Sequence, residues 1–226
     1  MVPKDKFMER NWFKYYKFRM FVNVVGNHTL FNFLDEKHFT NHNGQKLRAR
    51  VDPLSGSLPC IPVDGDFREA HNLMACVSVN HRKDDHIMYT LTKEKGALLY
   101  FKAFVRLMVE SGFLTHGEVL IMDNATIHSK GDAQGCANYL WNTEVDGKPL
   151  NVLVIYLPTR APELNPIELI FHILVLRLKS YHYRTIAPIE QKTLDRVRAV
   201  LDGIDLEVIR RCAKHCGYLV DDDDEE

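Results

Sequence analysis

Residues 119–131 read VLIMDNATIHSKG, four apolar residues set directly ahead of a carboxylate, Asp123. A short apolar run closed by turn-forming residues is the pattern of a buried strand. An acid at its end has two readings. Asp and Asn close strands and open turns by bonding nearby backbone amides; alternatively, the acid belongs to a site assembled where strands end. What else the chain brings to that end decides between them.

Working outward, HTLFNFLDEKHF (28–39) is rich in β-formers and runs into acids, and HNLMACVSVN (71–80) with DHIMYTLT (85–92) reads as a hairpin. Gly44 to Arg68 between them is rich in Gly, Pro and Asp, a long excursion with little regular structure. EKGALLYFKAFVRLMVESGF (94–113) spaces Leu98, Phe101, Val105 and Met108 as one helical face. A helix near 132–142 and a strand at 150–158 follow. NPIELIFHILVLRLKSY (165–181) carries Pro166 where a helix starts, with more helix expected after Pro188. The order strand, hairpin, helix, strand, helix, strand, helix predicts an α/β protein, a mixed sheet flanked by helices. In such sheets functional groups gather at strand ends and adjoining helix starts.

Composition bounds the rest. At 226 residues, with 46% hydrophobic and 26% charged content, the chain suits one globular core. It shows no apolar run of membrane-spanning length and no apolar signal core, so the expectation is an intracellular protein without membrane contact. Five scattered cysteines fit a reducing compartment, and CAKHC (212–216) lacks the second half a structural zinc site needs. The net charge of −1 hides an asymmetry: DDDDEE (221–226) holds six of the 30 acids, so the remainder is about +5. Such a run solubilises, or it competes with a polyanion for a basic face. The first twenty residues interleave Lys4, Lys6, Arg10, Lys14, Lys17 and Arg19 with Trp12, Phe13, Tyr15, Tyr16 and Phe18. That mixture suits phosphate contact and base stacking, and equally an amphipathic helix packed on the body.

Three acids fall at corresponding places: Asp35 near the end of the first strand, Asp123 at the end of a strand expected to neighbour it, and Glu168 in the first turn of a helix. Singly, each has an ordinary explanation as a turn former or a helix-start charge. Together they would repel one another, and a divalent cation resolves that repulsion. Hard oxygen ligands at this count suit Mg²⁺ or Mn²⁺, and a pair of such ions suits phosphodiester cleavage and transfer. No phosphate-cradling glycine loop, nucleophile elbow or zinc-spaced histidine pair is present.

FLDEKHF, VLIMDNATIH and YLPTRAPELNPIELIF resemble, in that order, the three signature segments of the DDE catalytic domain of mariner-type transposases and their bacterial insertion-sequence relatives. The resemblance implies a ribonuclease H-like fold over residues 28–181, preceded by a basic aromatic segment (1–27) and followed by C-terminal helices (182–219) and an acidic tail (220–226). It implies that Asp35, Asp123 and Glu168 are catalytic residues holding two Mg²⁺ or Mn²⁺ ions, with Asn124, His128 and Asn165 beside them. DNA is the expected partner, with Arg48, Arg50, Lys130 and Arg160 as candidate backbone contacts and Arg82 and Lys83 as further basic candidates. Action as a homodimer, and in the nucleus if the source is eukaryotic, would follow; no small-molecule substrate is expected.

Departures from the family pattern refine this. The interval from Asp123 to Glu168 exceeds the family's usual one, and CANYLWNTEVDGKPL (136–150) reads as the insertion, absorbed by an exposed hairpin or helix extension. Arg160 and Ala161 stand where Tyr-Ser is usual. Only about thirty residues precede Asp35, so the expectation is a DDE endonuclease domain without the usual helix-turn-helix recognition modules. The alternative is a decayed or domesticated domain acting as a DNA-binding or protein-interaction module. A ribonuclease H-like nuclease acting on RNA or a hybrid would share the metal site.

Overall fold

A computed structural model describes residues 11–24, 30–40, 70–92, 97–123, 133–182 and 190–218. Five strands form one sheet: β1 (Phe31–Thr40), β2 (Ala70–Ser78), β3 (Ile87–Thr92), β4 (Val119–Met122) and β7 (Leu153–Tyr156). Their spatial order is β3-β2-β1-β4-β7. The first three pair antiparallel, whereas β4 runs parallel to both β1 and β7. The parallel half requires crossovers, which α2 (Ala97–Glu110) and α3 (Ala133–Asn142) supply.

The alternation of side chains along each strand sorts the core into two layers. Phe31, Phe33, Leu73, Ala75, Val77, Val119 and Ile121 face α1 (Trp12–Val24), α4 (Pro166–His182), α5 (Glu190–Asp202) and α6 (Leu206–His215). Leu34, Met74, Cys76, Leu120 and Met122 face α2 and α3. Both sheet faces are therefore covered, and β4 is buried at every position, as its unbroken apolar run requires. Asp35 and Asp123 continue the odd-numbered series, so both belong to the α4 face.

Two features decide between readings that the sequence pattern left open, and a third was not visible in it. First, the basic aromatic segment forms α1, which buries Phe18 and Val22 in the core. Its Arg19 guanidinium donates to the carbonyl oxygens of Cys216 (2.9 Å) and Gly217 (3.4 Å) just past α6. Second, a small hairpin of β5 (Glu144–Val145) and β6 (Lys148–Pro149) occupies the insertion after Asp123. Its turn is Asp146-Gly147, both with positive φ (52° and 73°), the geometry that a two-residue hairpin turn demands. The extra length leaves the sheet as an exposed projection and need not displace the strand ends. Third, a polar cluster lies buried at the end of β1 and β4 away from Asp35. The carboxylate of Glu118 accepts from Asn32 Nδ2 (3.2 Å), Asn80 Nδ2 (3.1 Å), the Thr115 amide (2.9 Å) and Lys83 Nζ (2.9 Å).

Lys83 is thus committed elsewhere than to DNA. Its side chain is 8% exposed, its ammonium also donates to Asn32 Oδ1 (2.9 Å) and the Phe113 carbonyl, and it lies over the Phe113 ring. The expectation of a backbone contact there is corrected: a cation in a basic stretch beside a hairpin turn looks like a surface charge until its buried partner is known. Gly44 to Arg68 lies outside the described residues. Among the described residues, no helix is long and apolar enough to cross a membrane.

Candidate active site

The parallel register of β1 and β4 pairs Leu34 with Met122, so one step further brings Asp35 and Asp123 abreast on adjacent strands. Neighbouring strands lie about 4.8 Å apart, which places these two carboxylates within strong mutual influence. Glu168 arrives from the third direction. Pro162–Leu164 forms a 3₁₀ turn after β7, Asn165 is extended, and α4 begins at Pro166, leaving Glu168 in its first turn where the helix dipole favours an acid. Asp35, Asp123, Asn165 and Glu168 line one open cleft of about 170 Å³, walled by Pro158 to Pro162.

The electrostatics reflect the crowding. Asp35 is 7% exposed, and its pKa is pushed from 3.8 up to about 8, first by burial and then by the charges of Asp123 and Glu168. Glu36 is also raised, by burial and by Asp123. One Asp35 oxygen accepts from the Glu36 amide (2.8 Å), the other from Asn165 Nδ2 (3.0 Å). Lys37 Nζ stands 3.8 Å from Glu168 Oε2. Glu36 and Lys37 are neighbours of the cluster that sequence reasoning missed, although the run Asp-Glu-Lys was visible.

Asn165 is 1% exposed and ties the cluster together. Its position ahead of Pro166 is that of a helix cap, where an Asn side-chain oxygen ordinarily accepts a first-turn amide. Here the backbone carbonyl takes that amide, from Glu168 (3.1 Å), and the side chain turns to Asp35. Asn165 Oδ1 is left buried without a hydrogen-bond partner among the described residues. A helix cap has been given up to orient a carboxylate, the kind of local inconsistency that marks functional sites. Behind Asn165, the buried Tyr218 hydroxyl donates to the Leu164 carbonyl (2.7 Å), and its ring meets Phe31 and Phe33 edge-on. The C-terminal segment thereby braces the turn that delivers Glu168.

Arg160 lies on the wall of the cleft with φ of 61°, a left-handed conformation that costs a non-glycine residue about 1 kcal/mol. Arg160→Gly relieves that strain but frees the unfolded chain by a comparable amount, so stability in urea unfolding is expected to change by less than about 0.5 kcal/mol. If the guanidinium contacts a DNA phosphate, the same change weakens duplex binding and lowers its salt slope by about one. Asn124, His128, Lys130, Arg48 and Arg50 lie outside the described residues.

The donor set of the cleft is that of a hard divalent cation: carboxylate oxygens, one with its ionisation opposed by the others, and a buried amide oxygen lacking a donor. Among the described residues, no three acidic, histidine or cysteine side chains converge closely enough to hold one ion alone. The acids are instead disposed around the cleft, with Asp35 central to the other two.

Parallel and antiparallel strands in this order, helices on both faces and acids at the end of the central strands define a ribonuclease H-like fold. Solved structures agree: the Mos1 mariner strand transfer complex superposes with a TM-score of 0.68 at 15% identity, over 96% of this chain and 59% of that one. The Mos1 paired-end complex with left transposon end gives 0.66 at 15% identity, over 98% and 65%. The isolated Mos1 catalytic domain gives 0.53 at 14% identity, with 98% of each chain covered. The chain thus spans less than two thirds of the proteins in the Mos1 complexes. By sequence, residues 31–190 match the DDE superfamily endonuclease family, and the chain belongs to it. No curated protein matches it in sequence.

Proposed function

We propose that this protein is a metal-dependent DNA endonuclease of the transposase type, with Asp35, Asp123 and Glu168 as its catalytic carboxylates. The observation that carries the reading is the buried Asp35, raised to about 8 by burial and by the two other acids that the fold brings to its cleft. Three mutually repelling acids held at strand and helix ends are destabilising in a purely structural role, and a divalent cation turns that repulsion into affinity. Mos1 complexes solved with Mn and with Mg support the choice of ion.

When bound, a pair of Mg²⁺ or Mn²⁺ ions would supply Lewis-acid polarisation of the scissile phosphate and of the attacking oxygen. The chain's own residues do the positioning. Asp35 is oriented by the Glu36 amide and Asn165, so it enters the site in one rotamer. Asp123 is fixed by the end of a fully buried strand. Glu168 is fixed by the Asn165-Pro166 helix start and faces Lys37, which offers a cation to a nearby phosphate. DNA is the proposed substrate, cut with weak sequence preference by this domain itself, and transfer between two ends would require two copies. Asn124 and His128 are proposed as flanking contacts, and Arg48, Arg50, Lys130 and Arg160 as backbone contacts.

Asn165→Ala is expected to weaken Mn²⁺ binding about 10- to 100-fold, because it frees Asp35 to rotate. Calorimetry on folded protein checks this. For the function, nicking of supercoiled plasmid with Mn²⁺ compares the parent with Glu168→Gln. Cleavage by the parent alone is the expected result. Equal cleavage by both would assign the activity to a contaminant, and cleavage of RNA–DNA hybrid in preference to duplex would move the substrate to RNA.

A further inference from the structure

Helix α1 has a second side that the core does not use. Phe18 and Val22 point inward, whereas Phe13, Tyr16, Met20 and Val24 recur at helical spacing and are exposed. Lys14 is exposed on the same helix, and Lys17 Nζ stands 4.4 Å over the Phe13 ring. The helix carries Lys14, Lys17 and Arg19 and no acid. This is a basic, aromatic surface whose natural occupant is a polyanion.

The sequence supplies such a polyanion just beyond the last described residue. The last described residue, Tyr218, is pinned by its hydroxyl and by two aromatic neighbours. Arg19, in the middle of α1, grips the two carbonyls just before it. The last described residues therefore lie against α1, and three positions after Tyr218 the sequence becomes Asp-Asp-Asp-Asp-Glu-Glu (221–226). Eight residues reach up to about 26 Å, and the 13 residues of α1 span about 20 Å. From its anchor at the middle of the helix, the acidic run can therefore reach either end of α1. The other local candidate is residues 1–10, which carry Lys4, Lys6 and Arg10 against Asp5 and Glu9, so they are net basic like α1. A second copy of α1 would present the same positive charge.

We propose that the outer face of α1 is the docking surface of this chain's own acidic run, Asp221–Glu226, which shields the face until DNA displaces it. The docking contact stands by itself; the displacement rests on DNA being the protein's partner. The run acts as an intramolecular competitor, present at an effective concentration that free DNA must exceed. Binding to random duplex is thereby suppressed, and strong binding is reserved for DNA that engages the cleft as well.

Zero-length carbodiimide cross-linking of the full chain, read by peptide mass spectrometry, tests the contact. Links from Lys14 or Lys17 to the acidic run are expected at low salt, falling at least about fivefold near 0.5 M salt and on addition of duplex. Links confined to lysines elsewhere would overturn the proposal. So would links that form only between copies in a mixture of light and heavy isotopes. A variant with all six acids changed to Asn or Gln should bind a random duplex about tenfold more tightly at low salt. That gain should vanish when Lys14→Gln and Lys17→Gln are added; a gain that persists would mean general repulsion and not shielding of α1. Intact cross-links with no duplex binding by either chain would uphold the contact and sink the DNA reading.

Discussion

Asp35→Asn is expected to abolish metal-dependent cleavage, by at least about a thousandfold, while making the metal-free protein more stable at neutral pH. Loss of activity follows from removing the carboxylate on which the other two acids act. The stability gain follows from the same crowding. In the metal-free fold Asp35 keeps its proton until about pH 8, whereas in the unfolded chain it ionises near 3.8. Between those values the folded state binds the extra proton, so the contribution of Asp35 to stability is full below about pH 4, falls as pH rises, and is lost above about pH 8. The slope approaches about 1.4 kcal/mol per pH unit.

The Asp35→Asn variant has no such proton and loses that pH dependence. Its amide must replace one acceptor, at a cost of about 1–3 kcal/mol if the partner is left unsatisfied. Asn165 can reduce that cost by turning its own amide, so that its partnerless Oδ1 accepts from the side-chain amide introduced at position 35. The net expectation at pH 7 is a gain of about 1–3 kcal/mol in urea unfolding without metal, reversing to a loss of about 1–3 kcal/mol near pH 4, where only the hydrogen-bond cost remains. A variant that is less stable than the parent at pH 7 would show that the site is not strained. Saturating Mn²⁺ should stabilise the parent and leave the variant unchanged.

The second large effect lies at the other end of the sheet. Glu118 is fully buried and Lys83 nearly so, and the pair is enclosed by Asn32, Asn80, Thr115 and the Phe113 carbonyl. Glu118→Ala leaves a buried ammonium without its counter-charge and is expected to cost about 3–5 kcal/mol, a large share of a domain's usual 5–15 kcal/mol. Lys83→Met should cost a similar amount. The double variant Glu118→Leu with Lys83→Met should cost clearly less than the sum, because no unpaired charge remains. Asn32, Asn80 and the Thr115 amide would still lose an acceptor, so the double variant should not reach parental stability. Chemical unfolding followed by circular dichroism measures all three. If Lys83→Met instead leaves stability unchanged and flattens the salt dependence of DNA binding, Lys83 belongs to the nucleic-acid surface after all.

The contrast between these two clusters explains what a sequence of this kind discloses. Each strand and helix from Phe31 onward left a local trace: the apolar run of β4, the helical spacing of Leu98, Phe101, Val105 and Met108, and Pro166 at a helix start. The three acids were legible because each closes or opens such an element, and because the Asn-Pro-Ile-Glu segment is distinctive. That the strands ending in Asp35 and Asp123 are neighbours was expected and is found; that their parallel register sets the two acids abreast was not legible, since the strands are separated by β2, β3 and α2. The Glu118 cluster left no trace for the same reason. Its members are 3 to 86 positions from Glu118, and each reads singly as a surface or turn residue. Asn165 showed its place ahead of Pro166 but not that its side chain abandons the cap for Asp35. The unusual length of 136–150 pointed to an exposed hairpin or a helix extension, and the Asp146-Gly147 turn is the local signal that decides for the hairpin.

The most direct test of the account is calorimetric titration of Mn²⁺ into the purified protein and into Asp123→Asn, without DNA. The variant keeps the shape of a residue at the end of a buried strand, so its fold should persist while one of the three charges is gone. Binding by the parent that falls at least about tenfold in the variant is the predicted result. Equal Mn²⁺ affinity in both proteins would contradict a site built on Asp35, Asp123 and Glu168.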